Sequence, residues 1–483
     1  MELNLHDEKK KWLDWAIEIQ SLAQAGLTYG HDVYDMERYE RLREISAEML
    51  SYKTDIPVEK IKDLFCNETG YQTPKVDTRA AVGSSVALVG IFVNLITGLS
   101  VGPNAALANL IGQNKREQIS AMLHTILTFG LILGIGLMCL GFIIAKPVLV
   151  VSGTPDSVMD QAMLYIRIYL LSIPFMLLYN FGAAALRSYG DSKRPMYYLL
   201  LAGVVNVVLN LLLVVGVHLG VEGVAIGTLA SNVLSASLVL LCLYRREDEF
   251  QFRFGKMQIR KDFLRRVLVI GVPAGIQGAI FSVSNVFIQS GINSFGEDAI
   301  AGASVGLNFE YFTYAIACAF AQGAVTFTSQ NYGAGNLKRC KKIFCLSMLF
   351  GIGFTEILSV IFIAGGNTFV HIYTASDAVA MYALIRMQHV CSLEGLTATY
   401  EVESAALRGM GKSLEPAIIT ILGTVVFRMI WMVTVFKRVP TYNMLMNVYV
   451  ASWVVTGGLI FIIYMQHMKK EQLRIKSLKK EVV

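Results

Sequence analysis

The sequence predicts an all-α polytopic membrane protein built as two pseudosymmetric helical lobes, and three observations carry that prediction. Of its 483 residues, 54% are hydrophobic and only 16% charged, with a mean hydropathy of +0.52; a soluble globular chain carries about 25% charge. Apolar stretches of the roughly 20 residues needed to cross a bilayer recur along the chain. The second half also repeats landmarks of the first at a fixed offset.

Eleven apolar stretches are expected to span, near residues 84–107, 118–145, 161–185, 196–216, 222–244, 264–290, 299–327, 343–366, 379–405, 415–436 and 442–466. The longest polar interruption, Tyr244 to Arg266, splits them five from six. Residues 1–81 hold a dense mix of Lys, Arg, Asp and Glu and form a separate soluble helical segment. The expected domains are therefore 1–81, a first lobe over 82–250, a second over 251–470 and a basic tail over 471–483.

Basic residues assign the sides. Lys115 and Arg116, Arg187 with Lys193 and Arg194, the 245–266 connection, Lys338 to Lys342, Arg408 with Lys412, and Lys469 with Lys470 fall on every second loop. The alternate loops carry Asp156, Glu222, Glu297 and Asp377, with Lys437 and Arg438 as the exception. Positive charge stays inside, which predicts a multi-pass protein of the cytoplasmic membrane with a cytoplasmic C-terminus. Loop charge accounts for the net charge of +6, so no nucleic-acid partner is expected. The seven cysteines show no paired spacing of a zinc site, and the first 30 residues lack the apolar core of a signal peptide.

Leu186-Arg-Ser-Tyr-Gly190 returns as Leu407-Arg-Gly-Met-Gly411, and Gly102 with Gly112 returns as Gly323 with Gly333, in each case 221 residues on. Both pairs sit on the basic side, so the repeat is parallel. Projected back by the same offset, the opening stretch of the second lobe, 264–289, falls on 43–68. There Arg43, Glu44, Glu48, Lys53, Asp55, Glu59, Lys60, Lys62, Asp63 and Glu68 forbid a span, because each central charge costs about 2.5–3.5 kcal/mol. A six-plus-six plan reads here as five plus six.

Ionisable and amide side chains inside spans are the candidate site residues. Glu310 lies in the seventh stretch, and Glu394, Glu401 and Glu403 lie in the ninth. Glu394 and Glu401 are seven apart and share a helix face, whereas Glu403 is turned away by about 200°. Asn180 occupies the first-lobe position equivalent to Glu401, which puts the carboxylate chemistry in the second lobe. Gln277, Asn285 and Gln289 form a polar stripe on the helix opening that lobe, with Asn94, Asn206 and Asn210 in the first; interhelical hydrogen bonding is the competing role for all six. Arg428 is expected to be a structural ion-pair partner for Glu401.

From about Val82 to Lys470 the chain resembles the multidrug and toxic compound extrusion (MATE) transporters. The resemblance rests on Gly98-Leu-Ser-Val-Gly-Pro-Asn104, Tyr179-Asn-Phe-Gly-Ala-Ala-Ala-Leu-Arg187, Asn206-Val-Val-Leu-Asn210, Gly271-Val-Pro-Ala274, Thr326-Phe-Thr-Ser-Gln-Asn-Tyr-Gly-Ala334 and Tyr400-Glu-Val402 leading into Ala406-Leu-Arg-Gly-Met-Gly411. It implies a monomeric antiporter that exports small organic cations or drugs in exchange for Na⁺ or H⁺ by alternating access, with no cofactor beyond the coupling ion. The match begins at the family's second helix. Residues 1–81, through Trp12-Leu-Asp-Trp15, Tyr34-Asp-Met-Glu-Arg-Tyr39 and Tyr71-Gln-Thr-Pro-Lys-Val-Asp77, resemble the accessory N-terminal region of some Nudix-type nucleoside-diphosphate-sugar hydrolases. The Glu-rich catalytic box of those enzymes is absent, so no hydrolase activity is expected. This segment reads as a helical hairpin with Trp12, Trp15, Ile19 and Leu22 on one helix, Tyr39, Leu42, Ile45 and Met49 on the next, and a short helix opened by Pro57 with Ile61 and Leu64 inward. Two other functions compete: a related lipid-linked oligosaccharide flippase, and an inert fusion of two gene fragments joined near Ala80-Ala81-Val82.

Overall fold

A computed structural model describes residues 33–54, 88–151 and 156–481, with single positions at 19, 23, 58, 61 and 154. The chain divides into two compact units, Met1–Gly83 and Ser84–Val483.

In the first unit the described element is α1, Val33–Thr54, an alternation of charged and apolar side chains. Ala47, Leu50 and Ile61 form its small core, with Met49 and Val58 against it. Leu42, expected to point inward, is 40% exposed: the buried stripe runs through Ser46, Ala47 and Leu50, and Leu42 lies off it. The expected helix carrying Trp12, Trp15 and Leu22, along with Pro57 and Leu64, lies outside the described residues.

In the second unit, the described residues are helices joined by short turns, with no strand. The first lobe comprises α2 (Leu88–Gly112), α3 (Arg116–Val151), α4 (Asp156–Leu170) and α5 (Ile173–Tyr189), α6 (Lys193–Asn210) and α7 (Val221–Tyr244). The second comprises α8 (Lys261–Asn293), α9 (Glu297–Gly333), α10 (Leu337–Ala364), α11 (Asp377–His389) and α12 (Gly395–Gly409), α13 (Leu414–Phe436) and α14 (Tyr442–Glu481).

Helices therefore occupy each expected stretch, though not every one of them is apolar enough to be recognised as a span by composition. Among the described residues eight helices are long and apolar enough to cross a membrane, or nine if α4 and α5, bent by 41° at Leu171–Ser172, form one span. The shortfall lies at 299–327 and 379–405. There α9 and the α11–α12 pair trade apolar bulk for Gly, Ala, Ser, Thr and carboxylates. They can do so because they are enclosed: α9 packs on α2, α10, α11 and α12. Intramembrane polarity is tolerated where neighbouring helices rather than lipid surround it.

The repeat extends into the backbone. Left-handed residues occur at Asn114 (φ 57) and Gly335 (φ 72), and at Gly190 (φ 100) and Gly411 (φ 81), each pair 221 apart. Widened π-helical turns begin at Leu211, directly after α6, and at Met432 in α13, again 221 apart. Gly190 and Gly411 terminate α5 and follow α12, where the left-handed conformation closes a helix at little cost only for a residue without a Cβ.

The lobes meet along α2, which packs on α8 and α9. Gly98 and Gly102 of α2 face Gly271 and Gly275 of α8 so closely that a Cβ on Gly98 would lie 2.7 Å from the Gly275 Cα. Small residues four apart on both helices let the backbones touch, as in membrane helix pairs generally. Towards the basic ends the α2–α9 contact is its own mirror. A Cβ on Gly112 would strike the Gln330 backbone and one on Gly333 the Asn109 backbone, and Asn109 and Gln330 are themselves 221 apart. Asn104 Nδ2 donates to Thr326 Oγ1 (2.9 Å) and Gln330 Nε2 to the Ser188 carbonyl (2.7 Å).

The connection from Tyr244 to Lys261 is strapped to the first lobe. Phe250 and Phe252 are buried, Arg253 N–H donates to His124 Nε2 (3.0 Å), and Arg260 N–H to Thr125 Oγ1 (3.3 Å). Arg246 Nε donates to both Asp248 oxygens (2.9 and 3.0 Å), and this guanidinium holds the Asp248 carboxyl below its ordinary value. A depressed carboxylate pKa stabilises the fold above the unfolded value of about 3.9 and ceases to as pH falls through the folded value. The pair is partly exposed, so Asp248→Asn is expected to cost under about 1 kcal/mol at neutral pH. The difference from the parent, read by thermal unfolding, should shrink as pH falls below the ordinary carboxylate range.

Candidate functional site

The second lobe encloses a cavity of about 310 Å³ walled by α8, α9, α12, α13 and α14, with Asn94 of α2 and Arg386 of α11. Three carboxylates (Glu310, Glu394, Glu401) and two guanidinium groups (Arg386, Arg428) line it. A larger cavity of about 550 Å³ lies at the basic ends of α2, α8 and α9, lined by Asp262, Arg265 and Arg266. Those are exposed loop-end charges, whereas the smaller cavity places charge inside the helical bundle, where it is costly and so points to function.

Each charged group has a defined environment. Glu310, 7% exposed, is gripped through both oxygens by Arg386, 3% exposed: Nε donates to Oε1 and Nη2 to Oε2, the latter at 2.8 Å. Arg386 Nη2 also reaches the Tyr449 hydroxyl at 3.5 Å. Glu401 Oε1 accepts from the Tyr314 hydroxyl at 2.9 Å. Glu394, 3% exposed, has an Oε2 with no hydrogen-bond partner. It sits where the helix breaks: α11 ends at His389, a 3₁₀ turn covers Cys391–Leu393, and α12 resumes at Gly395.

The expected Glu401–Arg428 ion pair does not form. Arg428 Nε donates to Ser452 Oγ (3.1 Å) and Nη1 to Asn285 Oδ1 (3.4 Å). Its guanidinium lies over the rings of Tyr449 (4.7 Å) and Phe281 (5.3 Å). The carboxylate-bound arginine is Arg386, whose guanidinium is 5.4 Å from the same Tyr449 ring. Geometry decides this: Arg386, one helix segment before the break, faces α9, while Arg428 points towards α14 and α8.

The other sequence-selected residues divide. Gln277 and Asn285 line the cavity; Gln277 Oε1 accepts from buried Arg408 (2.7 Å). Gln289 and Asn94 line it as well. Asn180 does not: its amide donates to the Met176 carbonyl within α5. Asn210 Nδ2 donates to Asn206 Oδ1, and Asn206 Nδ2 in turn reaches Thr228 and Ser231 of α7. Glu403 is buried off the cavity with Oε2 unpartnered. Arg386, Tyr314 and Tyr449 were not selected from sequence. An arginine inside an expected span, 379–405, was the available signal for Arg386.

Comparison with known proteins places the fold. The MatE family model matches residues 76–212 and 273–434. A probable multidrug resistance protein, YoeA of Bacillus subtilis (strain 168), is 27% identical over 365 residues, covering 72% of this chain and 76% of that protein. A solved multidrug resistance MATE family transporter of the MOP superfamily, in an outward-facing conformation, superposes with a TM-score of 0.74 at 20% identity, covering 82% of this chain and 89% of that one. Residues 10–65 match the UDP-X-like, N-terminal oligomerisation domain. Here a putative ADP-ribose pyrophosphatase, YjhB of Bacillus subtilis (strain 168), is 51% identical over 72 residues, only 35% of its own length.

Proposed function

Because the chain belongs to the MatE family and is thus a multi-pass membrane transporter, we propose that it exports small organic, chiefly cationic, compounds across the cytoplasmic membrane in exchange for Na⁺ or H⁺. One observation carries the reading: the second-lobe cavity holds three carboxylates against two guanidinium groups, and Glu394 keeps an unpartnered oxygen. Glu310 is already compensated by Arg386. In a low-dielectric interior the remaining negative charge demands a cation or a proton. A coupling ion and a cationic solute then compete for the same charge, which is the logic of antiport. Glu394 and Glu401 carry the exchange; Gln277 and Asn285 supply hydrogen-bonding surface; Arg428, stacked on Tyr449 and Phe281, fixes that wall.

The close α2–α8 and α2–α9 contacts are the seam about which the lobes rock, with the basic ends towards the cytoplasm and the chain acting as a monomer. The flippase reading needs a basic cavity, and the residues lining this one carry more carboxylates than guanidinium groups, so it ranks lower. The test uses vesicles preloaded with ethidium, a fluorescent organic cation, under imposed Na⁺ or H⁺ gradients. Gradient-driven efflux is expected from the parent chain and a loss of at least about tenfold from Glu394→Gln, with Glu401→Gln weaker. Efflux absent under every gradient removes the transporter reading and leaves the inert fusion.

A further inference from the structure

The broken helix that presents Glu394 is held by a residue the transport reading has not used. Glu356 of α10 accepts a hydrogen bond through Oε1 from the Gly395 N–H at 2.8 Å. That N–H belongs to the first turn of α12, where backbone donors have no partner within the helix, and Glu394 itself provides no side-chain cap. The approach requires glycine: a Cβ at position 395 would lie 2.8 Å from the Glu356 Cγ and 3.0 Å from Cδ. A carboxylate at a helix N-terminus is also favoured by the helix dipole.

The first lobe solves the same problem differently. Positions 221 earlier replace Glu356, Glu394 and Gly395 with Ile135, Ile173 and Pro174. Proline at the start of α5 removes the donor, so no acceptor is needed. Ile135 is exposed and, being apolar, offers no acceptor. Breaking the helix therefore does not require an acid on the neighbouring helix. The acid occurs only in the lobe where the break carries a second carboxylate.

We propose that Glu356 is a positioning residue for Glu394: by pinning the Gly395 N–H it fixes the 3₁₀ turn and aims the Glu394 carboxylate at the cavity, setting the affinity for the coupling cation. This rests on the reading of Glu394 as an exchanging group. A mutation that frees the turn then weakens ion binding more than it slows turnover.

The experiment is ethidium efflux from vesicles as a function of driving Na⁺ and H⁺ concentration, alongside thermal unfolding. Glu356→Leu is expected to raise the half-saturating ion concentration by roughly tenfold or more, the size expected for losing a hydrogen bond to a charged group, with a much smaller fall in maximal rate. Glu356→Gln, whose amide oxygen still accepts, is expected to stay within about threefold of the parent. The double variant Glu356→Leu with Gly395→Pro copies the first lobe's solution and keeps the test valid if the single variant fails to fold. It is expected to be folded yet still shifted in half-saturation. An unshifted half-saturation in folded Glu356→Leu or in the double variant overturns the inference. If Glu394→Gln leaves gradient-driven efflux intact, the coupling reading itself fails. If Glu394→Gln abolishes it while the Glu356 variants match the parent, only the positioning role is lost.

Discussion

Glu310→Gln is expected to give a chain that fails to hold its second lobe together. The substitution changes one atom but leaves Arg386, 3% exposed, with its charge and no carboxylate. Removing one partner of a buried pair costs about 3–5 kcal/mol, a large part of the 5–15 kcal/mol that typically separates folded from unfolded domains. Tyr449 offers the guanidinium a hydroxyl at 3.5 Å and a ring face, which offsets little of that. Size-exclusion behaviour and thermal unfolding in detergent should show the loss. The double variant Glu310→Gln with Arg386→Met should recover most of it, because an apolar side chain of similar length removes the orphaned charge. A double variant as unstable as the single one would mean that the pair is not what Glu310 contributes.

The second large effect concerns the seam between the lobes. Gly112→Val and Gly333→Val each push side-chain bulk into the backbone of the facing helix, at Gln330 and Asn109 respectively. Overpacking typically costs about 1–3 kcal/mol where side chains can yield; backbone yields less, so α2 and α9 must separate. Because the two contacts are one contact repeated 221 residues apart, the variants should show closely matched defects. A cysteine placed at Asn109 or Gln330 should become reactive to a water-soluble maleimide, and ethidium efflux should fall by about tenfold or more. Unequal defects would show that the contact is symmetric in shape and not in function.

How much of this the sequence disclosed differs between fold and site. Apolar length and loop charge are strong signals because a bilayer imposes them on any helix that crosses it, and the 221-residue repeat could be counted from glycines and the basic motifs beside them. Apolarity failed at α9 and α12, where helices shielded by their neighbours need not be oily. The carboxylates Glu310, Glu394 and Glu401 were legible as intramembrane charge. Their partners were not: Arg386 is 76 positions from Glu310 and Glu356 is 39 from Gly395, and helix periodicity says nothing about which faces of distant helices meet. The 3₁₀ turn was also hidden, since 379–405 reads as one continuous stretch.

The connection between the lobes has a consequence for how the chain can be divided. Phe250, Phe252, the Arg253 N–H on His124 and the Arg260 N–H on Thr125 moor it to the first lobe, and the side chains from Arg253 to Arg260 are exposed. The covalent link between Met257 and Gln258 therefore carries none of the packing that joins the lobes, which resides in α2, α8 and α9. A gene split at that bond would encode two membrane proteins, one ending in its own moored tail and one starting at the head of α8, with their recognition surfaces already written into the glycines between them.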